Sequence, residues 1–343
     1  MKLPPRPLRR VLGPLLLLVC FTFTLVLLPV LTVVAAIASL WMPGRFRAVR
    51  LLYFALVGLT AELVALIAAA TMWVVSGFGW KLHSPRFERA HYHVLRVCLG
   101  VIVWAAQNLF RLRLETDEIS WSPLDDGVPG SPNAMIVLSR HAGPGDSLLL
   151  MDTLMNRDHL REPRVIMKDT MQADPVVDVY FHRLPGRFID PTPATGAADA
   201  IEESIADLAS DLDDEDALLV FPEGGNFTPQ RRTRAIRKLR QRGHVAYAER
   251  AEEMKHVLPP KPGGVSAAMD AAPHADVVFV AHTGLEHILS ARDAWREIPV
   301  DKTLYLRWWF YRADEVPGEH EDRLAWLYAR WEDIDSWIAE HRS

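Results

Sequence analysis

In the stretch AMIVLSRHAGPGDSLLLMDTLM, residues 134–155, an apolar run ends in a polar turn that leads straight into an amphipathic segment. Ala134–Leu138 reads as a buried strand and Ser147–Met155 as the opening of a helix. Gly143, Pro144 and Gly145 let the backbone fold sharply between them, with His141 before the turn and Asp146 after it. Strand, turn and helix in this order is the repeating unit of an α/β domain.

The same alternation continues downstream. Val165–Met167 reads as a short strand, and Ala198–Leu212 as a helix with Ile201, Ile205, Leu208 and Leu212 on one face. Ala217–Phe221 is a buried strand and Ala235–Arg250 a helix. Val277–Ala281 and Thr303–Phe310 complete the strands. From Glu321 a final helix carries the stripe Leu324, Leu327, Tyr328, Trp331, Ile334 and Ile338. The pattern predicts an α/β fold with a mixed, mainly parallel sheet flanked by helices. The acidic run DLDDEDA, residues 211–217, reads as a solvated turn between a helix and a strand.

Half of the 343 residues are hydrophobic, and the excess lies at the N-terminus. No charged residue occurs from Val11 to Gly44, and only Glu62 from Leu51 to Trp80. Each run supplies the roughly 20 apolar residues that cross a bilayer, so residues 11–80 are expected to form a two-helix membrane hairpin. Basic residues flank both ends, Lys2, Arg6, Arg9 and Arg10 before it and Lys81, Arg86 and Arg89 after it. The positive-inside tendency then favours cytoplasmic ends and a catalytic domain on the cytoplasmic face, although Arg45, Arg47 and Arg50 in the connecting loop also suit a hairpin dipping into one leaflet. Residues 87–112 look helical, but the uncharged part from Val97 to Phe110 is short for a span and suits an interfacial helix. The loop SPLDDGVPGSPN, residues 122–133, separates this module from the rest. The expected division is a membrane-anchoring hairpin and interfacial helix in residues 1–110, and a catalytic domain with its C-terminal helix in residues 111–343.

A net charge of −5 gives no support to nucleic-acid binding. Cys20 and Cys98 are too few for a zinc site or a disulfide framework, and no metal site is expected. Chemistry is sought at strand ends, where α/β sheets present their sites. His141 has the residue type of a general base, and a carboxylate such as Asp146 would fix its tautomer. The plainer reading makes Asp146 a helix N-cap and His141 a loop residue. In LLVFPEGGNFTP, residues 218–229, a strand breaks at Pro222, and Glu223, Gly224 and Gly225 follow. Glycine backbone can approach an anionic ligand closely, though a plain turn fits as well. The basic run Arg231, Arg232, Arg234, Arg237, Lys238 and Arg240 reads as a solvated face or as an attractor of phosphates and anionic headgroups. Lys168 at the end of RVIMK and Arg187 in LPGRFIDP are single cations that together would suit a phosphate.

In order, RHAGPGD, GRFID, FPEGG and HVLPPKPGG resemble the four sequence blocks of the glycerolphosphate and lysophospholipid acyltransferase family, over roughly residues 111–320. Leu258-Pro259, Val316-Pro317 and AWLYARWEDID are similar to the lysophosphatidate and lysocardiolipin branch. The resemblance implies acyl transfer at a bilayer, without a cofactor, from acyl-CoA or acyl carrier protein to the hydroxyl of a lysophospholipid, lysophosphatidate first. It implies His141 as base and Asp146 as its holder, with no acylated serine. Glu223, Gly224 and Gly225 would shape the acceptor site, Lys168 and Arg187 would bind phosphate, and Pro259 would mark the fourth block. Three positions depart from the family pattern: Arg140 replaces asparagine, Pro191 replaces the arginine that ends block two, and Gly225-Asn226 replaces threonine-arginine. These departures keep another lysophospholipid or a glycolipid acceptor open, as well as a catalytically silent membrane adaptor. A serine hydrolase would need a G-x-S-x-G elbow, which the sequence lacks.

Overall fold

The structure, a computed structural model, describes residues 3–42, 44–116, 133–141, 145–156, 160–190, 197–284, 295 and 301–341. Most of the 122–133 loop, residues 142–144 and Pro191 lie outside them, as do the side chains of Asp146, Ala197 and Ala198. The chain divides into two compact units, Met1–Arg113 with Met167–Pro191 and Ala294–Lys302, and Leu114–Ile166 with Thr192–Asp293 and Thr303–Ser343.

The first unit is built on α1 (Arg6–Val26), α2 (Leu28–Leu40), α3 (Arg47–Val75) and α4 (Pro85–Phe110). The apolar run from Val11 is interrupted at Leu27, because Pro29 has no N–H to donate and is accommodated in the first turn of a new helix. Helices α1, α3 and α4 are each long and apolar enough to cross a membrane. The structure therefore extends the expectation for residues 87–112: the helix starts at Pro85 and runs unbroken for 26 residues, about 39 Å at the usual rise. Trp41 after α2 and Phe78 and Trp80 after α3 are strongly exposed, as aromatic residues at a lipid–water boundary are.

Helix α3 buries Ala61, Ala65 and Ala69, one per turn. Small side chains let neighbours approach the helix backbone closely. The carbonyl of Ala61 accepts from Cys98 Sγ at 3.5 Å, that of Ala65 from the Tyr180 hydroxyl at 2.8 Å, and that of Ala69 from Arg183 at 2.8 Å. Tyr180 ends α6 (Pro175–Tyr180), whose N-cap Asp174 accepts from the N–H groups of Val176 and Val177. Asp178 of α6 is buried and meets Arg9 at 2.9 Å and Arg10 at 3.6 Å.

The strands are β1 (Arg113–Thr116), β2 (Met135–Ser139), β3 (Glu162–Lys168), β4 (Gly186–Ile189), β5 (Asp216–Val220), β6 (Asp276–Thr283) and β7 (Thr303–Tyr311). The sheet order is β1-β7-β6-β2-β5-β3-β4. β2 pairs in parallel with both β5 and β6, β3 in parallel with β5, and β7 antiparallel with β6. The expected mixed, mainly parallel sheet is present. In the second unit α5 (Asp146–Asn156) follows β2, α7 (Ala197–Ala209) precedes β5, and α10 (Pro262–Ala271) precedes β6. Ile136, Leu138, Leu218, Val220 and Phe279 form one apolar core with Ile205 and Leu208 of α7 and with α11 (His320–His341). The stripe expected on the last helix is buried at Leu327, Tyr328, Trp331, Ile334 and Ile338.

Three elements differ from the sequence reading. The helix expected over Ala235–Arg250 is two, α8 (Pro229–Gln241) and α9 (Val245–Glu253), because Gly243 adopts a left-handed φ of 80°. GRFI, absent from the strands expected from the sequence, is strand β4. β3 begins at Glu162 rather than Val165, and Arg164, outside the strand as read from the sequence, is buried within it. Its guanidinium donates to the Leu208 carbonyl, to Asp211 and, at 2.5 Å, to Asp216. Asp216 thus leaves the solvated acidic run and is buried, and burial raises its carboxyl pKa against the opposing pull of Arg164. Removing one partner of a buried ion pair costs about 3–5 kcal/mol. Arg164→Met is expected to lower the Tm of the detergent-solubilised protein by several degrees, and adding Asp216→Leu should recover much of the loss. An unchanged Tm in the single variant would mean that the pair does not hold β3 in place.

Candidate active site

β2 is the strand that ends at the opening motif, and its five residues are all buried. Such a strand leaves polar chemistry only at its tip. Ser139 there turns its hydroxyl to the Arg140 carbonyl at 3.0 Å, and His141 follows, half-buried. The imidazole lies against the ring of Phe221, the residue after β5, with centroids 4.7 Å apart. The Phe227 N–H donates to the His141 carbonyl at 3.0 Å. The turn after β2 and the loop after β5 are thereby held together, as the parallel pairing of their strands requires. Asp146 opens α5, and its carboxylate lies outside the described residues.

Arg140 sits where the family pattern has asparagine, and it is 1% exposed. Its guanidinium donates to the carbonyls of His282 at 2.9 Å and His256 at 3.4 Å. His282 Nε2 returns a hydrogen bond to the Arg140 carbonyl at 3.3 Å. Arg140 therefore ties the end of β6 and the segment before Pro259 to the His141 turn. Reading single motifs missed this role, because its carbonyl partners leave no trace in side-chain identity.

Glu223 is 3% exposed, and its Oε1 accepts from the Leu258 N–H at 3.3 Å. The Lys261 N–H donates to the Pro222 carbonyl at 2.9 Å. These two bonds clip FPEGG to LPPK, so the third and fourth blocks are one structural piece with Pro259 buried inside it. The last helix holds that piece from behind. Asp335 of α11 accepts from the N–H groups of Lys255, His256 and Val257 at 3.0, 2.5 and 3.2 Å, and Trp331 Nε1 donates to the Leu258 carbonyl at 2.9 Å. Trp331 is legible in the sequence only as part of an amphipathic stripe, and Asp335 carries no signal there.

Gly224 has a φ of 66°, and a Cβ there would run into the Lys261 ammonium. At Gly225, a Cβ would come within 2.8 Å of Arg231 Nη1. The left-handed φ is what requires a glycine at 224, and the flexible ends of two cationic side chains lie over the pair. Lys261 and Arg231 had not been singled out one by one, although the basic run directly after the glycines was a signal.

His141, Glu223, Gly224, Gly225 and Pro259 belong to the second unit, while Lys168 and Arg187 belong to the first. Lys168 ends β3 and is exposed. Arg187, in β4, helps to line a cleft of about 660 Å³ in the first unit with His83, Glu88, Gln172, His182 and Arg183. Burial holds the His182 imidazole below its ordinary pKa. Among the described residues no three His, Cys, Asp or Glu side chains converge as a metal site would require.

A family model described as Acyltransferase matches residues 128–283. Neither a curated protein nor a solved structure matches the chain. The matched span holds the tip of β2 with His141, the clipped third and fourth blocks, and the strands that align them. This match identifies residues 128–283 as a domain of the glycerolphosphate/lysophospholipid acyltransferase family.

Proposed function

We propose that the protein transfers an acyl group from an acyl thioester, acyl-CoA or acyl carrier protein, to the free hydroxyl of a lysophospholipid, with lysophosphatidate as the first acceptor and phosphatidate as product. The observation that carries this reading is an acyltransferase domain whose histidine stands at the tip of a central parallel strand, in a chain with three helices able to cross a bilayer. Residues 1–110 act as the anchor and residues 111–343 as the catalytic domain, on the cytoplasmic side of the membrane.

In this reaction His141 takes the proton from the acceptor hydroxyl as its oxygen attacks the thioester carbonyl. The new C–O bond forms, the C–S bond breaks, and the proton passes from the imidazolium to the departing thiolate. Asp146 holds the imidazole and stabilises its charged form. No enzyme nucleophile and no cofactor takes part. Glu223 and the glycines after it shape the acceptor side, and Lys168 and Arg187 bind its phosphate. The Gly225-Asn226 departure favours a second reading of the acceptor, as another lysophospholipid or a glycolipid.

Membranes containing the full chain should convert lysophosphatidate and acyl-CoA to phosphatidate, identified by mass. His141→Ala should lower the rate by about 10²–10⁴-fold, the usual weight of a general base. Equal rates in the variant and the parent would sink the mechanism, and no transfer to any of a broad panel of acceptors would leave the silent adaptor.

Lys168→Ala and Arg187→Ala are expected to raise the KM for a phosphorylated acceptor more than they lower kcat, as groups that bind ground and transition states alike do. Unchanged kinetics in both would remove them from the site.

A further inference from the structure

The basic run after block three is not uniform. Arg232 turns back to the carbonyls of Ala251, Glu252 and Met254 and closes the C-terminus of α9. Arg240 pairs with Glu252 at 2.7 Å. Arg231, Lys238 and, from the fourth block, Lys261 have no carboxylate partner among the described residues. Lys261 and Arg231 bring their charged ends onto neighbouring glycines of one turn.

Their positions on the fold make this costly for the protein alone. Arg231 is in the first turn of α8, with its N–H capped by Thr228 at 3.2 Å, and Lys261 is the residue from which α10 starts. Both are helix N-termini, the ends where the helix dipole is positive and cations are unfavourable. Neither first turn contains an acidic residue to offset this. Two like charges, each from a residue at a helix N-terminus, therefore meet over Gly224-Gly225. Partial desolvation, then the nearby charges of Lys238 and Arg231, hold the Lys261 amine below its ordinary pKa. The same turn adjoins His141 through Phe221 and Phe227.

We propose that Lys261 and Arg231, gathered over the Gly224-Gly225 turn beside His141, form a binding site for a phosphate group of the substrate. The proposal rests on the acyl-transfer reading and deepens it. It gives the positive charge that Asn226 does not supply in block three to two residues from elsewhere in the chain. Side chains with Cβ atoms at 224 and 225 would displace both cationic ends from this position. Two substrates offer the phosphate: the acceptor, whose headgroup would then meet Lys261 and Arg231 in place of Lys168 and Arg187, and the nucleotide end of an acyl-CoA donor.

The test uses the full-length protein in lipid nanodiscs, comparing Lys261→Gln and Arg231→Gln with the charge-preserving Lys261→Arg and Arg231→Lys. Each is assayed with lysophosphatidate or 1-monoacylglycerol as acceptor, and with acyl-CoA or its phosphate-free analogue S-acyl-N-acetylcysteamine as donor. The glutamine variants should lose at least tenfold in kcat/KM with one phosphorylated substrate and less than twofold with its phosphate-free counterpart. The arginine and lysine replacements should recover most of that loss. A loss that follows the acceptor assigns the site to the lipid headgroup, and one that follows the donor assigns it to the nucleotide phosphates. The same loss with all four combinations, or none, overturns the proposal.

A second measurement is independent of turnover. Inorganic phosphate or pyrophosphate should raise the Tm of the parent and of the charge-preserving variants, but not that of the glutamine variants. If the parent transfers no acyl group at all, the acyl-transfer reading fails, and this shift alone decides the site. An equal shift in the parent and the glutamine variants, or no shift in the parent, refutes it.

Discussion

A strand buried on both faces has no room for a polar side chain without a partner, and β2 is such a strand, set between β5 and β6. Everything reactive in the second unit is consequently displaced to the strand tips. Parallel pairing brings those tips to one end, because β2, β5 and β6 all point the same way. His141 after β2, Phe221 and Glu223 after β5, and His282 near the end of β6 are neighbours for this reason. Their proximity is a property of strand direction before it is a property of any motif.

Precision at those tips comes from main-chain hydrogen bonds more than from contacts between functional side chains. Arg140, Glu223 and Asp335 are buried charged groups that act on backbone carbonyls and N–H groups. Each thereby satisfies part of its own demand for polar partners and fixes a loop that has no regular structure. The last helix belongs to this system. Its Trp331 and Asp335 grip residues 255–258 from behind, so the fourth block is set by residues far along the chain.

The parts of the fold governed by periodicity were legible in the sequence. The stripe of α11 and the apolar strands β2, β5 and β6 needed nothing beyond side-chain hydrophobicity and spacing. Elements whose character depends on a distant partner were harder to read. Arg164 falls outside the strand as read from the sequence until Asp216 is placed beside it, and Asp216 reads as part of a solvated turn for the same reason. The break between α8 and α9 was signalled by Gly243, but a lone glycine does not by itself end a helix. In the site, His141 and the glycines stood out because their residue types are uncommon in those settings. Lys261 did not, and the contacts of Arg140 and Arg231 could not be read, since a cation in a charged stretch carries no mark of where it folds.

Residues 167–191, which interrupt the α/β sequence, group with the apolar helices, and this bears on the order in which the protein is made. Asp178 has its cations in Arg9 and Arg10, while Tyr180 and Arg183 have their acceptors in the carbonyls of Ala65 and Ala69. All of these partners leave the ribosome first. When the α6 segment emerges, its buried carboxylate, hydroxyl and guanidinium meet helices that are already synthesised, and domains form in this N-to-C direction. Moving the apolar helices to the other end of the gene would reverse that sequence of events. The excursion would then emerge with three polar groups and nothing yet made to receive them.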